Sequence, residues 1–148
     1  MELATTVQTT LHGNVPLLAS MGMEVVEAEP GRVRTRLPMQ SGNGNHIGTV
    51  YAGVLYSFLE ATGGALVLVS LDVARFVPII VEGAIRYLRP VTARIECDAS
   101  LPPEERDAVH AALERDPKHR WALLARAVTE DGRVACEADL VYRFRVVG

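Results

Sequence analysis

The stretch from Val50 to Leu71 constrains the fold more than any other feature, because it is apolar on every side and carries a single charge, Glu60. Its length is enough to cross a bilayer, which takes about 20 residues. A carboxylate in the middle of a membrane, however, costs about 2.5–3.5 kcal/mol on insertion scales. A helix that is apolar all round must instead be buried all round. The sequence therefore predicts a long helix at the centre of the protein and no membrane association.

Short segments of alternating apolar and polar residues lie on both sides of this helix, which is typical of β-strands. Asp131-Gly132 joins the last two segments and is a strong hairpin signal. The predicted strands cover residues 24–28, 32–37, 79–87, 94–101, 121–130 and 133–147. In the third strand, one face is expected to comprise Ile79, Val81, Gly83, Ile85 and Tyr87. Because antiparallel sheets commonly keep one face in water, the pattern predicts an α+β architecture, in which a curved antiparallel sheet of about six strands wraps around the central helix.

The chain shows no repeat, linker or low-complexity run, so residues 1–148 are expected to form one domain. Residues 1–20 read as a weakly helical lead-in. Residues 102–117 read as a helical insert between strands, since two prolines suit its first turn. A six-stranded sheet has two open edges, and pairing between subunits would remove one edge from each. We therefore expect a homodimer or a dimer of dimers.

Composition excludes several function classes. A net charge of -3 gives no basic excess for nucleic acid. The two cysteines, Cys97 and Cys136, are too few for a disulfide framework or a zinc cluster and are expected to be small buried hydrophobes. The four histidines show no metal-ligand spacing, so we expect no metal and no cofactor. The first residues lack a positive segment followed by an apolar core, so a cytoplasmic location is expected.

Glu60 has two interpretations from the residues alone. It can be a buried carboxylate satisfied by an arginine or by local hydrogen bonds. It can also be a base or nucleophile whose pKa is raised by desolvation. A glycine-containing loop opens the helix, so backbone N–H groups near Tyr51, Ala52 and Gly53 are expected to be free at its N-terminus, where they stabilise negative charge. Glu60 follows about two turns later, and a carboxylate near a carbonyl held by amides is the minimal arrangement for acyl transfer to water.

Three segments of the chain resemble one known family. The pattern Asn45-x-x-Gly48-x-x-Tyr51-Ala52-Gly53-x-x-Tyr56-x-x-x-Glu60 resembles the central-helix motif of hot-dog fold acyl-CoA thioesterases. Residues 85–91 are similar to the strand that follows the helix in that family, and residues 125–135 to its final hairpin. The resemblance covers roughly residues 20–146, and the helical insert is similar to that of thioesterase domains sometimes fused to acetyltransferases. It implies the hot-dog fold.

The resemblance also implies roles for particular residues. The acid at the position of Glu60 is the nucleophile or general base in many relatives. The backbone amide of Ala52 or Gly53 would polarise the thioester carbonyl, and Asn45 would orient water or that carbonyl. The site is usually shared between two subunits, with coenzyme A along their interface. This chain departs from the family in having Tyr51 where a histidine is common, and Gly64 where one branch has a hydroxyl residue.

The expected function is therefore hydrolysis of an acyl thioester of coenzyme A or acyl carrier protein. Tyr51, whose hydroxyl can donate a hydrogen bond, joins Asn45 in positioning the carbonyl or water. The residues expected to contact substrate are His46, Gly48, Val54, Leu55, Tyr56 and Phe58, the last four around the acyl group. The alternative for His46 is a solvated histidine in a surface loop. Arg86 and Arg89 are expected to hold coenzyme A phosphates. The alternative for Arg86 is a solvated side chain beside Glu82. The alternatives are a non-catalytic acyl-ligand binding or sensing dimer on the same fold and a hot-dog hydratase or dehydratase.

Overall fold

The computed structural model describes residues 1–148, which form four α-helices and six β-strands. The helices are α1 (Glu2–Asn14), α2 (Pro16–Ser20), α3 (Ala52–Ser70) and α4 (Pro103–Arg115). The strands are β1 (Glu24–Glu29), β2 (Arg32–Leu37), β3 (Phe76–Tyr87), β4 (Ile95–Ser100), β5 (Trp121–Thr129) and β6 (Val134–Val146). A single 3-10 turn, Ser41–Asn43, lies in the loop before α3. Each predicted helix and strand is present, with bounds shifted by a few residues.

The six strands form one antiparallel sheet in the order β1-β2-β4-β5-β6-β3. The central helix α3 packs on one face of the sheet and contacts β2, β3, β4, β5 and β6. The α+β architecture predicted from the sequence, a curved antiparallel sheet around a long helix, is confirmed.

The core lies between α3 and the sheet. By length and composition α3 could cross a membrane, but half of its most apolar window is buried inside the protein. A buried hydrogen bond joins the hydroxyls of Thr35 on β2 and Thr62 on α3 at 2.7 Å. Cys97 and Cys136 are free and buried, as expected. The tight packing of this face fixes how α3 is rotated, and therefore which of its residues point away from the sheet.

The two edges of the sheet differ in how they are covered. Helix α1 packs along β1, where the Gln8 side chain accepts a hydrogen bond from the Val25 N–H at 2.8 Å. The His12 ring lies 2.9 Å from the Met23 carbonyl oxygen. At the other end of the sheet, β3 pairs with β6 on one side and has no partner strand on the other. Pro78 within β3 fits an edge position, because proline cannot donate a ladder hydrogen bond.

A β-bulge in β3 corrects the predicted inward face of this strand. The register shifts between Ile80 and Glu82, so Val81 is an extra residue on the bulged strand. Ile80 pairs with the buried Tyr142 and faces inward, and beyond the bulge Gly83 resumes the inward face. Ile79 and Val81, expected on that face, are instead 46% and 41% exposed.

Candidate active site

The loop before α3 is organised by the side chain of Asn45. Its Oδ1 accepts hydrogen bonds from the N–H groups of Ile47 (3.1 Å) and Thr49 (3.0 Å), and its Nδ2 donates to Thr49 Oγ1 at 2.7 Å. Gly48 has a φ of 79°, a left-handed conformation that favours glycine. Asn45 therefore shapes the loop, and one hydrogen on its Nδ2 is left to contact a ligand.

The first turn of α3 presents two free backbone donors. Tyr51 is the N-cap, with extended backbone at φ -60° and ψ 137°, and its carbonyl oxygen accepts from the N–H groups of Val54 (3.0 Å) and Leu55 (3.1 Å). The N–H groups of Ala52 and Gly53 have no hydrogen-bond partner. Free amides at a helix N-terminus stabilise negative charge, because the helix dipole adds to their own. Of the three donors expected from the sequence, those of Ala52 and Gly53 are thus free, whereas the Tyr51 N–H donates to the Asn43 carbonyl oxygen at 2.8 Å.

Two tyrosines brace this first turn. The Tyr51 ring lies against Gly53, where a Cβ would come within 2.6 Å of Tyr51 Cε2, so a larger residue at position 53 would displace the ring. The Tyr87 hydroxyl at the end of β3 donates to the Ala52 carbonyl oxygen at 3.0 Å. Glycine at position 53 therefore makes room for the Tyr51 ring.

A cavity of about 290 Å³ opens beside the free amides. It brings together four of the predicted site residues: Asn45, Ala52, Leu55 and Arg89. Tyr87 and Leu88 also line this cavity, and both are about half exposed. This cavity is where a polar group held by the helix N-terminus would lie.

Glu60 lines a second cavity of about 360 Å³. Burial alone raises the pKa of its carboxyl above the ordinary value of 4.5, with no contribution from an arginine or from a hydrogen-bond donor. The two interpretations of Glu60 are thereby separated, since no ion pair locks the side chain and a cavity reaches it. An unpaired, desolvated carboxylate is a stronger base and nucleophile than one in water.

Two tyrosines flank Glu60. Tyr56 lines the same cavity and lies against Gly83 of β3, where a Cβ would overlap its hydroxyl. Burial raises the pKa of Tyr56, and the negative charge of Glu60 raises it further. The Tyr142 hydroxyl donates to the backbone carbonyl oxygen of Glu60 at 2.8 Å, across the space left by Gly63. The peptide group of the acid is thus fixed from β6, whereas its carboxyl is free.

The acid and the free amides do not meet within one chain, which corrects the expectation that Glu60 enters the neighbourhood of the helix start. They line different cavities. Eight residues of α-helix separate Ala52 from Glu60, which corresponds to a rise of about 12 Å and a rotation of about 80°. A single carbonyl cannot contact both groups of the same α3.

The other predicted contact residues lie apart from both cavities. His46 is exposed in the loop, Gly48 forms its turn, and Val54 is half-buried. Phe58 is fully buried, because two residues before Glu60 on a helix is the opposite face, toward the sheet. The expected role of Phe58 at the acyl group is therefore wrong for this chain.

Arg86 also differs from its expected role. Its guanidinium pairs with Glu137 at 3.0 Å and Asp139 at 2.8 Å on the outer face of the sheet, opposite α3. Glu82 pairs with Arg120 at 3.1 Å and not with Arg86. Arg86 is thus a structural ion-pair residue, and Arg89 is the arginine that lies beside the free amides.

Sequence reasoning missed most of the wall around Glu60. The missed residues are Leu11, Val15, Leu17, Leu18, Ser57, Ala61 and Ile80, whereas the sequence singles out Gly64 only as a departure from the family. The leucines come from the N-terminal lead-in, whose sequence carries no signal of proximity to α3. A larger cavity, about 410 Å³, lies on the outer face of the sheet. It is lined by charged residues such as Arg34 and Glu96, which pair with each other, and by none of the site residues.

A curved sheet around a central helix, with an unpaired, half-buried acid on that helix and free amides at its start, defines a hot-dog protein of the thioesterase class. Residues 4–142 match the family described as "Putative thioesterase (yiiD_Cterm)", and the chain belongs to this family.

Solved structures agree with this assignment. A protein of unknown function from Pseudomonas aeruginosa, described as a probable thioesterase, is 33% identical with a TM-score of 0.88, over 97% of this chain and 95% of that one. A putative thioesterase from Shewanella oneidensis is 23% identical with a TM-score of 0.82, over 99% of both chains. A thioesterase from Haemophilus influenzae shares the fold at 14% identity and a TM-score of 0.70, over 88% of this chain and 82% of that one. None of the curated proteins compared with the chain matches it.

Proposed function

We propose that this protein hydrolyses acyl thioesters of coenzyme A or of acyl carrier protein, with Glu60 as the reacting acid. One observation carries the proposal: a desolvated carboxylate without an ionic partner opens into a mostly apolar cavity on the central helix of a thioesterase fold. An unpaired, partly buried carboxylate destabilises a fold, so its presence is best explained by chemistry.

The reaction needs an attack on the thioester carbonyl carbon and a place for the charge that moves to its oxygen. In one route a Glu60 oxygen attacks, the thiolate leaves and takes up a proton, and water then hydrolyses the mixed anhydride. In the other route Glu60 takes a proton from water and the resulting hydroxide attacks. In both routes the amide of Ala52 or Gly53 donates to the developing oxyanion, and the products are a carboxylic acid and a thiol.

A homodimer resolves the separation of acid and amides. The partnerless edge of β3 is twelve residues long and carries exposed apolar side chains at Ile79 and Val81. Pairing of two copies at this edge about a two-fold axis sets their α3 helices antiparallel. The amino end of each helix is thereby turned toward Glu60 of the other copy, and each site takes its acid from one chain and its amides from the other. A monomeric mass in light scattering for a protein with full activity would contradict this shared site.

The decisive experiment is thiol release from a panel of acyl-CoA and acyl carrier protein substrates. Glu60→Gln is expected to lower kcat/KM by about a thousandfold or more, whereas Glu104→Gln, an exposed glutamate on α4, serves as the matched control and leaves it unchanged. Wild-type turnover in Glu60→Gln would remove the assigned role of the acid. Tight binding of acyl-CoA by the native protein, without release of thiol from any substrate, would favour the non-catalytic acyl-binding alternative.

The backbone donor can be tested separately with Ala52→Pro. Proline is well tolerated at the first position of a helix, and the extended backbone of Tyr51 suits the residue before proline. The substitution deletes an N–H that has no partner in the protein, so folding is expected to be retained. If Ala52 supplies the oxyanion donor, kcat should fall by about 100- to 1,000-fold. An unchanged kcat would assign the donor to Gly53 instead.

A further inference from the structure

The cavity at Glu60 is larger than the acid needs, and its walls come from three separate parts of the chain. Helix α3 supplies Tyr56 and Gly64, the N-terminal helices supply Leu17 and Leu18, and β3 supplies Ile80. Apart from Glu60, this lining is mostly apolar. Such a chamber beside a reacting acid fits an aliphatic chain better than a polar or charged group.

We propose that this chamber holds the acyl chain of the substrate, and that Gly64 and helix α2 limit its length to less than about fourteen carbons. The inference rests on the proposed thioester hydrolysis and names the substrate class within it. The substrates are then medium-length aliphatic acyl thioesters rather than acetyl or long-chain ones.

The volume sets the upper limit. An engineered protein cavity of about 150 Å³ binds benzene, which corresponds to about 25 Å³ per carbon. By that measure the 360 Å³ at Glu60 would hold about fourteen carbons if filled completely. Leu17 at the mouth is 55% exposed, so part of the volume faces solvent, and the chain that is fully covered is shorter.

Gly64 supplies the free space nearest the acid. It lies one helical turn after Glu60 and lines the same cavity. A Cβ at position 64 would meet no atom within 4 Å, so the glycine is not required by packing within the chain. Any larger side chain here would point into the chamber beside the carboxyl and shorten it.

The test uses saturated straight-chain acyl-CoA esters from acetyl to hexadecanoyl. In the native protein, kcat/KM is expected to rise by up to about fourfold per methylene until the chamber is full. Gly64→Leu should lower the ratio of kcat/KM for octanoyl over butanoyl by at least about tenfold, since more than one methylene loses its place. Gly13→Leu is the control, because Gly13 is also a helical glycine with open space and lines neither cavity. Leucine favours a helix over glycine at both positions.

Binding separates this inference from the proposed function. The same esters are titrated by calorimetry into Glu60→Gln protein with and without Gly64→Leu. Affinity that rises with chain length and loses this dependence in the Gly64 variant supports the acyl chamber, even if no ester is hydrolysed by the native protein. Hydrolysis with a chain-length profile that Gly64→Leu leaves unchanged overturns the acyl chamber and leaves the proposed function standing. Absence of both binding and hydrolysis overturns both.

A second variant covers the case in which Gly64→Leu does not fold. Leu17→Asp places a carboxylate at the mouth of the chamber, at an exposed position where folding tolerates a charge. It should lower the ratio of kcat/KM for octanoyl-CoA over butanoyl-CoA by at least about tenfold. Leu3→Asp, an exposed leucine on α1 outside the chamber, is the matched control and leaves the ratio unchanged. An unchanged ratio in Leu17→Asp contradicts the role of α2.

Discussion

Replacing Gly83 with alanine tests whether the edge strand positions the residues around the acid. Gly83 has no positive φ, so its backbone accepts alanine without strain. The new methyl group would overlap the Tyr56 hydroxyl. Overpacking of this kind lowers the free energy of unfolding by about 1–3 kcal/mol. For a domain of this size the melting temperature should fall by about 2–12 °C.

The assay is thermal unfolding at fixed protein concentration, with acyl-CoA hydrolysis measured on the same samples. Tyr56 lines the cavity of Glu60, so Gly83→Ala should also lower kcat/KM by displacing the ring. The control is the same substitution in a Tyr56→Ala background, where the overlap is gone. There Gly83→Ala should be neutral or stabilising by about 0.5–1 kcal/mol, because glycine within a strand is unfavourable.

The sign of the change in stability caused by Gly83→Ala in each background tests whether β3 holds Tyr56 in place. A destabilisation that persists in the Tyr56→Ala background would mean that Gly83 is required for a reason other than the tyrosine. No destabilisation in the native background would mean that Tyr56 moves freely and is not held by β3. Either result refutes the inference that β3 and Tyr56 are coupled.

Three further predictions follow from the remaining contacts. Because burial raises the pKa of Glu60, ionisation of this acid destabilises the fold as pH rises above 4.5. Glu60→Gln should therefore be more stable than the native protein at pH 7–8, as measured by denaturation at a series of pH values. A difference in stability that does not disappear below about pH 4 would contradict this. Tyr87→Phe deletes the hydrogen bond to Ala52 and should reduce stability by about 1 kcal/mol and lower kcat/KM; an unchanged kcat/KM would show that Tyr87 does not position the free amide. Burial raises the pKa of Cys97 to about 12 and that of Cys136 to about 11. Neither thiol should therefore react with a thiol reagent at pH 8 until the protein is unfolded. Rapid labelling of the native protein would contradict the buried packing of the two cysteines.

The sequence predicts the fold well where hydrophobic periodicity is unambiguous. The apolar run around Glu60 and the alternation of residues 32–37 lead directly to α3 and β2. The bulge at Val81 is not visible in the sequence, because residues 76–81 are all apolar and do not show which of them face inward. A bulge depends on pairing with β6, which is a long-range contact.

The candidate site is predicted in part, for a similar reason. Glu60 and the free amides are identified because a lone charge and a helix start are local features. Phe58 is misplaced because the sequence does not show how α3 is rotated, and only packing on the sheet fixes it. The contribution of Leu11 and Leu17 to the cavity depends on how the lead-in folds back, which no local pattern encodes.

The two donors at the start of α3 are atoms of the peptide chain, and this affects how the family can diverge. No codon specifies an N–H group, so substitutions at position 52 can change the side chain and still leave both donors in place, whereas position 53 has no room for a side chain while the Tyr51 ring lies against it. Only an imino acid would erase one. Homologues can therefore differ widely in sequence at the N-terminus of this helix and keep the same two N–H donors, provided that the turn entering the helix is preserved.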